Sequence, residues 1–294
     1  MSTHQRGDTG PILNIQKLGW GAVREKLKTE GGDTILVPVG SCERHGNPHT
    51  PLGLDGMVTL SVVERAARRA DVLYTPIMPF GYTPHHMGRT NEGTGTVSLS
   101  VETYRRVLMD VGRSLIFHGF NKLVFVSFHS FNVTNAEEVL FALRNRTGAF
   151  AAFYGGRETP EAQRILECPE DQLAGDLEAS MALALLDPDE AGRPEDYART
   201  FTIHAPKWLG PAFSKRPGTG MAVGFQGEEN IWIAMEDYEF VDPALGGEGR
   251  TSRASRAKGL RLLDALAEHL AAFVLEVKKL AITAENRDFP DRVR

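Results

Sequence analysis

The feature that most constrains this chain is an alternation of four apolar runs with amphipathic stretches. The runs are DTILVPVG (33–40), DVLYTPIMPFG (71–81), KLVFVSF (122–128) and GAFAAFYGG (148–156). They are rich in Val, Ile and Phe and lack clean every-second-residue alternation, so they read as strands covered on both faces. Between them GMVTLSVVERAARRA (56–70), SVETYRRVLMDVGRSLIFHG (100–119) and NVTNAEEVLFALRNRTG (132–148) read as amphipathic helices. Ser100 with Thr103 and Thr134 with Glu137 look like N-terminal capping signals, the second a capping box. Strands alternating with helices call for an α/β fold, a mostly parallel sheet with helices on both faces. AGDLEASMALALLDPDE (174–190) and GLRLLDALAEHLAAFVLEVKKLA (259–281) add two helices. The stretch 191–247 is loop-rich and carries Trp208 and Trp232, two of the three tryptophans. With no repeat and no low-complexity linker, residues 1–294 are expected to form a single domain.

A chain of 294 residues can bury a substantial core. Its net charge of -5 argues against nucleic acid as the main partner. The mild basic cluster GRTSRASRAKG (249–259) reads as a solvated helix start. Two cysteines, Cys42 and Cys168, are too few for a disulfide framework or a cysteine zinc cluster. Cys42 reads as a small residue packed at a strand end. No 18-residue apolar run and no apolar signal core occur, so the expected setting is the cytoplasm, away from membranes.

In open parallel sheets ligands bind beyond the carboxyl ends of the strands. At that edge the first run is followed by Glu43, His45 and Asp55, the second by Tyr82, His85 and His86, and the third by His129 and Asn132. Glu-x-His on extended backbone points both side chains the same way. Glu43, His45, Asp55 and His129 supply mixed nitrogen and oxygen ligands that suit zinc, manganese or iron(II). An Asp able to bridge permits two ions about 3.5–4 Å apart sharing an activated water. Singly these residues have plainer readings: Asp55 as a helix cap, His129 as a hydrogen-bonded packing residue. Their joint placement at one sheet edge favours a divalent metal centre of one or two ions.

The stretch VPVGSCERHGNPHTPLGLD resembles the signature of the creatininase (creatinine amidohydrolase) family: a strand ending in Pro-x-Gly-Ser, then Glu-x-His-Gly, then Leu-Pro-Leu-Gly-x-Asp. FGYTPHHMGRTNEGTGTVSLSVETY, VFVSFHSFN and LAGDLEAS follow in the family's order, so the resemblance covers roughly residues 15 to 280. It implies a three-layer α/β/α sandwich, commonly a hexamer, hence a homo-oligomer here. It implies Glu43, His45, Asp55 and His129 as metal ligands with Asp55 bridging, and Glu178 as a further ligand or a base near the water.

Departures bear on the substrate. The family's Gly-Gly after the third-strand histidine is Ser130-Phe131, and the preceding Asn-Gly is Ser127-Phe128. In LAGDLEAS the family histidine is Leu173 and the first glutamate is Asp176, a change that weighs against creatinine itself. His86 is the candidate proton donor beside Glu178, with Asp176 the weaker candidate. Tyr82, His85, Asn132 and His49 are candidate substrate contacts, His49 with a plain surface reading beside it. Trp208 and Trp232 read as packing or pocket wall, His4, His118 and His269 as surface or helix residues, and His204 has no assigned role. The expected reaction is metal-dependent hydrolysis of a small cyclic polar carbonyl compound at a C–N bond. The alternative is C–C hydrolysis of an oxidised inositol, a 3-dehydro-scyllo-inosose-type diketone, to a keto acid. A non-catalytic metal-binding scaffold is disfavoured because all four ligands are retained.

Overall fold

In the computed structural model, which describes residues 10–156, 158–190, 192–215, 221–242 and 249–289, the four apolar runs pair side by side. Strands β1 (Thr34–Pro38), β2 (Leu73–Tyr74), β3 (Lys122–Ser127) and β4 (Phe150–Gly155) form one parallel sheet in the order β2-β1-β3-β4. β1 and β3 are buried throughout, which accounts for their unbroken apolar composition. The second run makes far less strand than its length suggests. Pro76 and Pro79 lack the N–H that a ladder needs, and beyond Tyr74 the segment keeps only scattered links such as Gly40 N to the Met78 carbonyl.

The helices are α1 (Trp20–Lys26), α2 (Leu54–Ala70), α3 (Val101–Phe117), α4 (Ser130–Thr134), α5 (Glu137–Thr147), α6 (Pro160–Leu166), α7 (Leu173–Leu185), α8 (Asp237–Phe240) and α9 (Arg256–Lys278). α3 packs with α5, and α2 with α7 and α9, giving helical layers on both faces of the sheet. Ser100 caps α3 as expected, its Oγ accepting from Thr103 N at 3.2 Å. The Thr134–Glu137 capping box does not form. Thr134 ends α4, the chain resets at Asn135, and α5 starts after Ala136 with no side-chain cap. The expected helix 132–148 is thus two helices, with Tyr104 Oη donating to the Asn132 carbonyl at 2.8 Å near the break. α7 is buried along nearly its whole length, so it reads as apolar all round. Ser255 caps α9, so the basic cluster ends in a helix start, while Arg250–Thr251 within it form a short strand paired with Arg199–Thr200. Among the described residues no helix is long and apolar enough to cross a membrane.

Two consequences position the site. The chain leaves β1 toward β2 on one side and returns to place β3 on the other, so the strand order reverses between β1 and β3. Outside the carboxyl ends of such a pair lies the crevice where open α/β sheets bind ligands. Over it, the region after α7 builds short antiparallel pieces around a second apolar cluster of Ala174, Phe201, Val223, Met235, Phe240 and Val241. Parts of that loop-rich region, 216–220 and 243–247, lie outside the described residues, as does His4.

Candidate metal centre

The segment after β1 is held extended from both sides. Glu43 N donates to the Leu52 carbonyl, Val97 N to the Cys42 carbonyl, and Arg44 N to Thr96 Oγ1. Glu43 and His45, two residues apart, therefore project into one cavity, and both are buried. Close approach is needed at Gly46, where a Cβ would stand 2.4 Å from the Phe201 ring. Asp55 is the second residue of α2, but Gly53 holds the cap position and makes no side-chain cap bond. The Asp55 carboxylate instead accepts from Ser41 Oγ at 3.2 Å and faces His129 Nδ1 at 3.5 Å. His129 comes directly off β3, with Nδ1 2.9 Å from Glu43 Oε2. Its Nε2 lies 2.9 Å from the Tyr82 carbonyl, an acceptor only, so Nε2 carries hydrogen and Nδ1 is turned to the carboxylates.

His86 enters from the other side. Its Nε2 is 3.4 Å from Glu43 Oε1, and its Nδ1 is 3.1 Å from Asp237 Oδ2. One ligand atom from each of Glu43, His86 and His129 falls within 4.8 Å of the others. Across the cavity, Glu178 on α7 places Oε1 3.6 Å from His45 Nδ1, while His45 Nε2 is buried without a hydrogen-bond partner among the described residues. The arrangement has two poles, Glu43–His86–His129 with Asp55 buried behind them, and His45–Glu178; all but Asp55 line one cavity of about 200 Å³.

Electrostatics bind the poles together. Burial alone would raise Glu43, yet His129 and His86 beside it hold its carboxyl below the usual carboxylate range. Burial would lower His129, but Glu43 and Asp55 outweigh it and push it up to about 10. His45 is raised against its burial chiefly by Glu178, with Asp55 and Glu43 adding to it. His85 goes the other way, far down, through burial and the neighbouring His86 and His129. Three carboxylates and three imidazoles, nearly all buried, form a donor set that fits a divalent cation.

The remaining candidates divide. His85 lines the cavity, stacked on Phe131 at a centroid distance of 4.0 Å. Phe131 therefore stands behind a histidine. Asn132 is fully buried and its amide is spent inside the fold: Nδ2 donates to the Gly40 carbonyl (2.9 Å) and Ser127 Oγ (3.1 Å), and Oδ1 accepts from Tyr82 N (3.0 Å). Tyr82 contributes its main chain to this clamp and lies outside the cavity lining. His49 lines a neighbouring cleft, half-exposed and 3.7 Å from Asp196. Asp176 is buried away from the cavity, with Oδ1 accepting from Ser252 Oγ (2.8 Å) and Arg253 N (3.2 Å). Leu173 belongs to the core, and Ala174 is the residue of that pair lining the cavity. His118 and His269 are exposed, and His204 is partly buried with Nδ1 on the Ala205 carbonyl. Trp208 and Trp232 are exposed and line no part of the cavity.

The sequence reading missed Asp237 and Arg44. Arg44 Nε donates to Asp237 Oδ2 at 2.9 Å, so the carboxylate that orients His86 is itself held by the residue between Glu43 and His45. Burial raises Asp237, but the His86 hydrogen bond and charge and then Arg44 bring it below its ordinary value. Nothing local to Asp237 marks it, because it lies 151 positions from His86.

A family model described as creatininase, creatinine amidohydrolase, matches residues 16–274. Among curated proteins the chain is 33% identical over 106 residues to a creatinine amidohydrolase of Pseudomonas putida, covering 35% of this chain and 40% of that one. It is 32% identical over 108 residues to a 3-dehydro-scyllo-inosose hydrolase of Thermotoga maritima, covering 36% and 32%. A mycofactocin precursor peptide peptidase of Mycobacterium ulcerans is 36% identical over 106 residues, covering 34% and 41%. The chain thus spans about a third to two fifths of the length of these relatives. Among solved structures, a Zn-Zn type mutant creatininase aligns with a TM-score of 0.68 at 21% identity, covering 92% of this chain and all of that one. A manganese creatininase aligns at 0.65 and 22%, covering 91% and 99%. These likenesses establish the fold.

Proposed function

The chain belongs to the creatininase family, and from that premise we propose that it is a metal-dependent hydrolase opening a small cyclic polar carbonyl compound at a C–N bond. The observation that carries this reading is the buried carboxylate–imidazole cluster at the strand-order reversal, opening into a cavity sized for a small molecule. Glu43, Asp55, His86 and His129 would hold one divalent ion, and His45 with Glu178 a second. When bound, such an ion supplies Lewis acidity toward a carbonyl and a water acidified toward neutral pH.

The protein's own residues do the rest. Asp237, held by Arg44, orients His86, and the Tyr82 carbonyl orients His129. Glu178 takes the proton of the attacking water and returns it to the leaving nitrogen. Phe201, Ile203, Phe240 and Val241 form an apolar wall that limits bulk water. The Thermotoga maritima relative supports a second reading, C–C hydrolysis of an oxidised inositol, for which His85 would donate to a ring oxygen. Assembly as a homo-oligomer, a hexamer by family resemblance, belongs to the same proposal, and light-scattering mass in solution tests it.

Metal analysis of the purified protein, followed by product mass spectrometry on panels of cyclic amides and oxidised inositols, tests the function. Near-stoichiometric zinc, manganese or iron with a water-added amide product is expected. An acyclic keto acid from the inositol panel moves the reaction to the C–C bond. Protein that takes up no metal, or takes it up equally as Asp55→Ala and His45→Ala, overturns the metal centre.

A further inference from the structure

The cavity lined by the carboxylate–imidazole cluster is strongly acidic, with Glu43, Glu158, Glu178 and Asp237 all reaching it. Against these stands Lys215, the sole lysine or arginine among the described residues lining the cavity. It follows the short strand Phe213–Ser214, which pairs with Ala222–Phe225, and Phe213 and Phe225 pack with ring centroids 5.1 Å apart. Its ammonium lies over the Phe240 ring, 4.9 Å from the centroid, and Phe240 lines the same cavity. An ammonium set on an aromatic face keeps its charge while losing part of its hydration. Burial accordingly pulls Lys215 down to about 8, with Glu158 acting in the opposite sense. His85, which lines the same cavity, has its ring 3.8 Å from that of His86.

One cationic side chain among four carboxylates, partly buried on an aromatic face, is placed to meet an anionic group of a ligand. We infer that Lys215 is the substrate's anion anchor, so that the molecule hydrolysed carries a carboxylate besides the carbonyl that reacts. The inference rests on the metal-hydrolase reading above and narrows its substrate class. The carboxylate shares Lys215 with Glu158, which in the free protein is the lysine's opposing charge. A neutral ring of the same size would gain nothing from the ammonium. A flexible surface lysine would make no such distinction.

The test uses metal-loaded full-length protein and calorimetric binding of malonate, succinate and glutarate, each against its half-amide. The shared carboxylate engages the metal pole, and the three lengths cover the reach to Lys215. For the best-fitting length, the dicarboxylate is expected to bind about tenfold or more tightly than its half-amide. That preference should disappear in Lys215→Met, persist in Lys215→Arg and grow in Glu158→Gln, with metal content unchanged throughout. No preference in the native protein, or one that survives Lys215→Met, overturns the anchor while leaving the metal centre standing. Failure of the native protein to take up metal overturns the hydrolase reading and the anchor with it.

Discussion

Replacing Asn132 separates a scaffold role from a substrate role. The side chain is fully buried and makes three hydrogen bonds, to the Gly40 carbonyl, Ser127 Oγ and Tyr82 N, at 2.9, 3.1 and 3.0 Å. It therefore ties the loop leaving β1 to the end of β3 and to the segment carrying His85 and His86. Asn132→Ala removes all three bonds and strands the Gly40 carbonyl and the Tyr82 amide. At about 1 kcal/mol net per bond the loss is about 3 kcal/mol. With an m value of about 3 kcal/mol per M of urea for a chain of this size, the unfolding midpoint drops by about 1 M. Asn132→Asp keeps one acceptor but sets a carboxylate oxygen against the Gly40 carbonyl, so it should lose at least as much. Urea titration of metal-free protein, followed by circular dichroism, reads both variants. A midpoint within 0.3 M of the native value (about 1 kcal/mol by the same m value), with weakened substrate binding instead, would refute the clamp and restore Asn132 as a substrate contact.

The folded His129 pKa of about 10 exceeds its ordinary 6.5, so its contribution to metal-free stability is complete below pH 6.5 and lost as pH rises through about 10. Urea midpoints at pH 6, 8 and 10 should fall in that order, and zinc uptake at pH 7.5 should release protons to an indicator dye. Glu43, held below 4.5, contributes in the opposite sense: its share is present above pH 4.5 and disappears on acidification. Asp237→Asn weakens the acceptor that orients His86 and should lower zinc affinity about tenfold, measured against a chromophoric chelator; unchanged affinity would remove His86 from the ligand set. Leu173→His puts an imidazole into the core at a position outside the cavity. It should cost about 2–3 kcal/mol in urea titration, and cyclic-amide turnover should stay at the native level.

β1 and β3 were legible because residues buried on both faces leave a continuous apolar record, and Glu43 and His45 because a two-residue spacing on extended backbone has one geometric meaning. The second strand was overextended, since apolar residues continue to Gly81 while Pro76 and Pro79 end its ladder. The capping box at Thr134 misled for a related reason. A local motif competes with tertiary contacts, and here a short turn after His129, held through Asn132 and Tyr104, takes that segment first. Asn132 and Leu173 show the limit of reading roles from position alone, because a residue adjacent to a site in sequence can face the core.

By itself, then, the sequence determined the order of the main strands and helices, though not all their ends, and which side chains follow the strand ends. Those properties are written in periodicity and spacing over a few residues. Only the tertiary structure decided that β3 lies beside β1, that Asp237 crosses 151 positions to hold His86, and that Lys215 lines the same acidic cavity as Glu43 and Glu178. Such pairings depend on how buried surfaces pack across the whole chain, and no local pattern carries them.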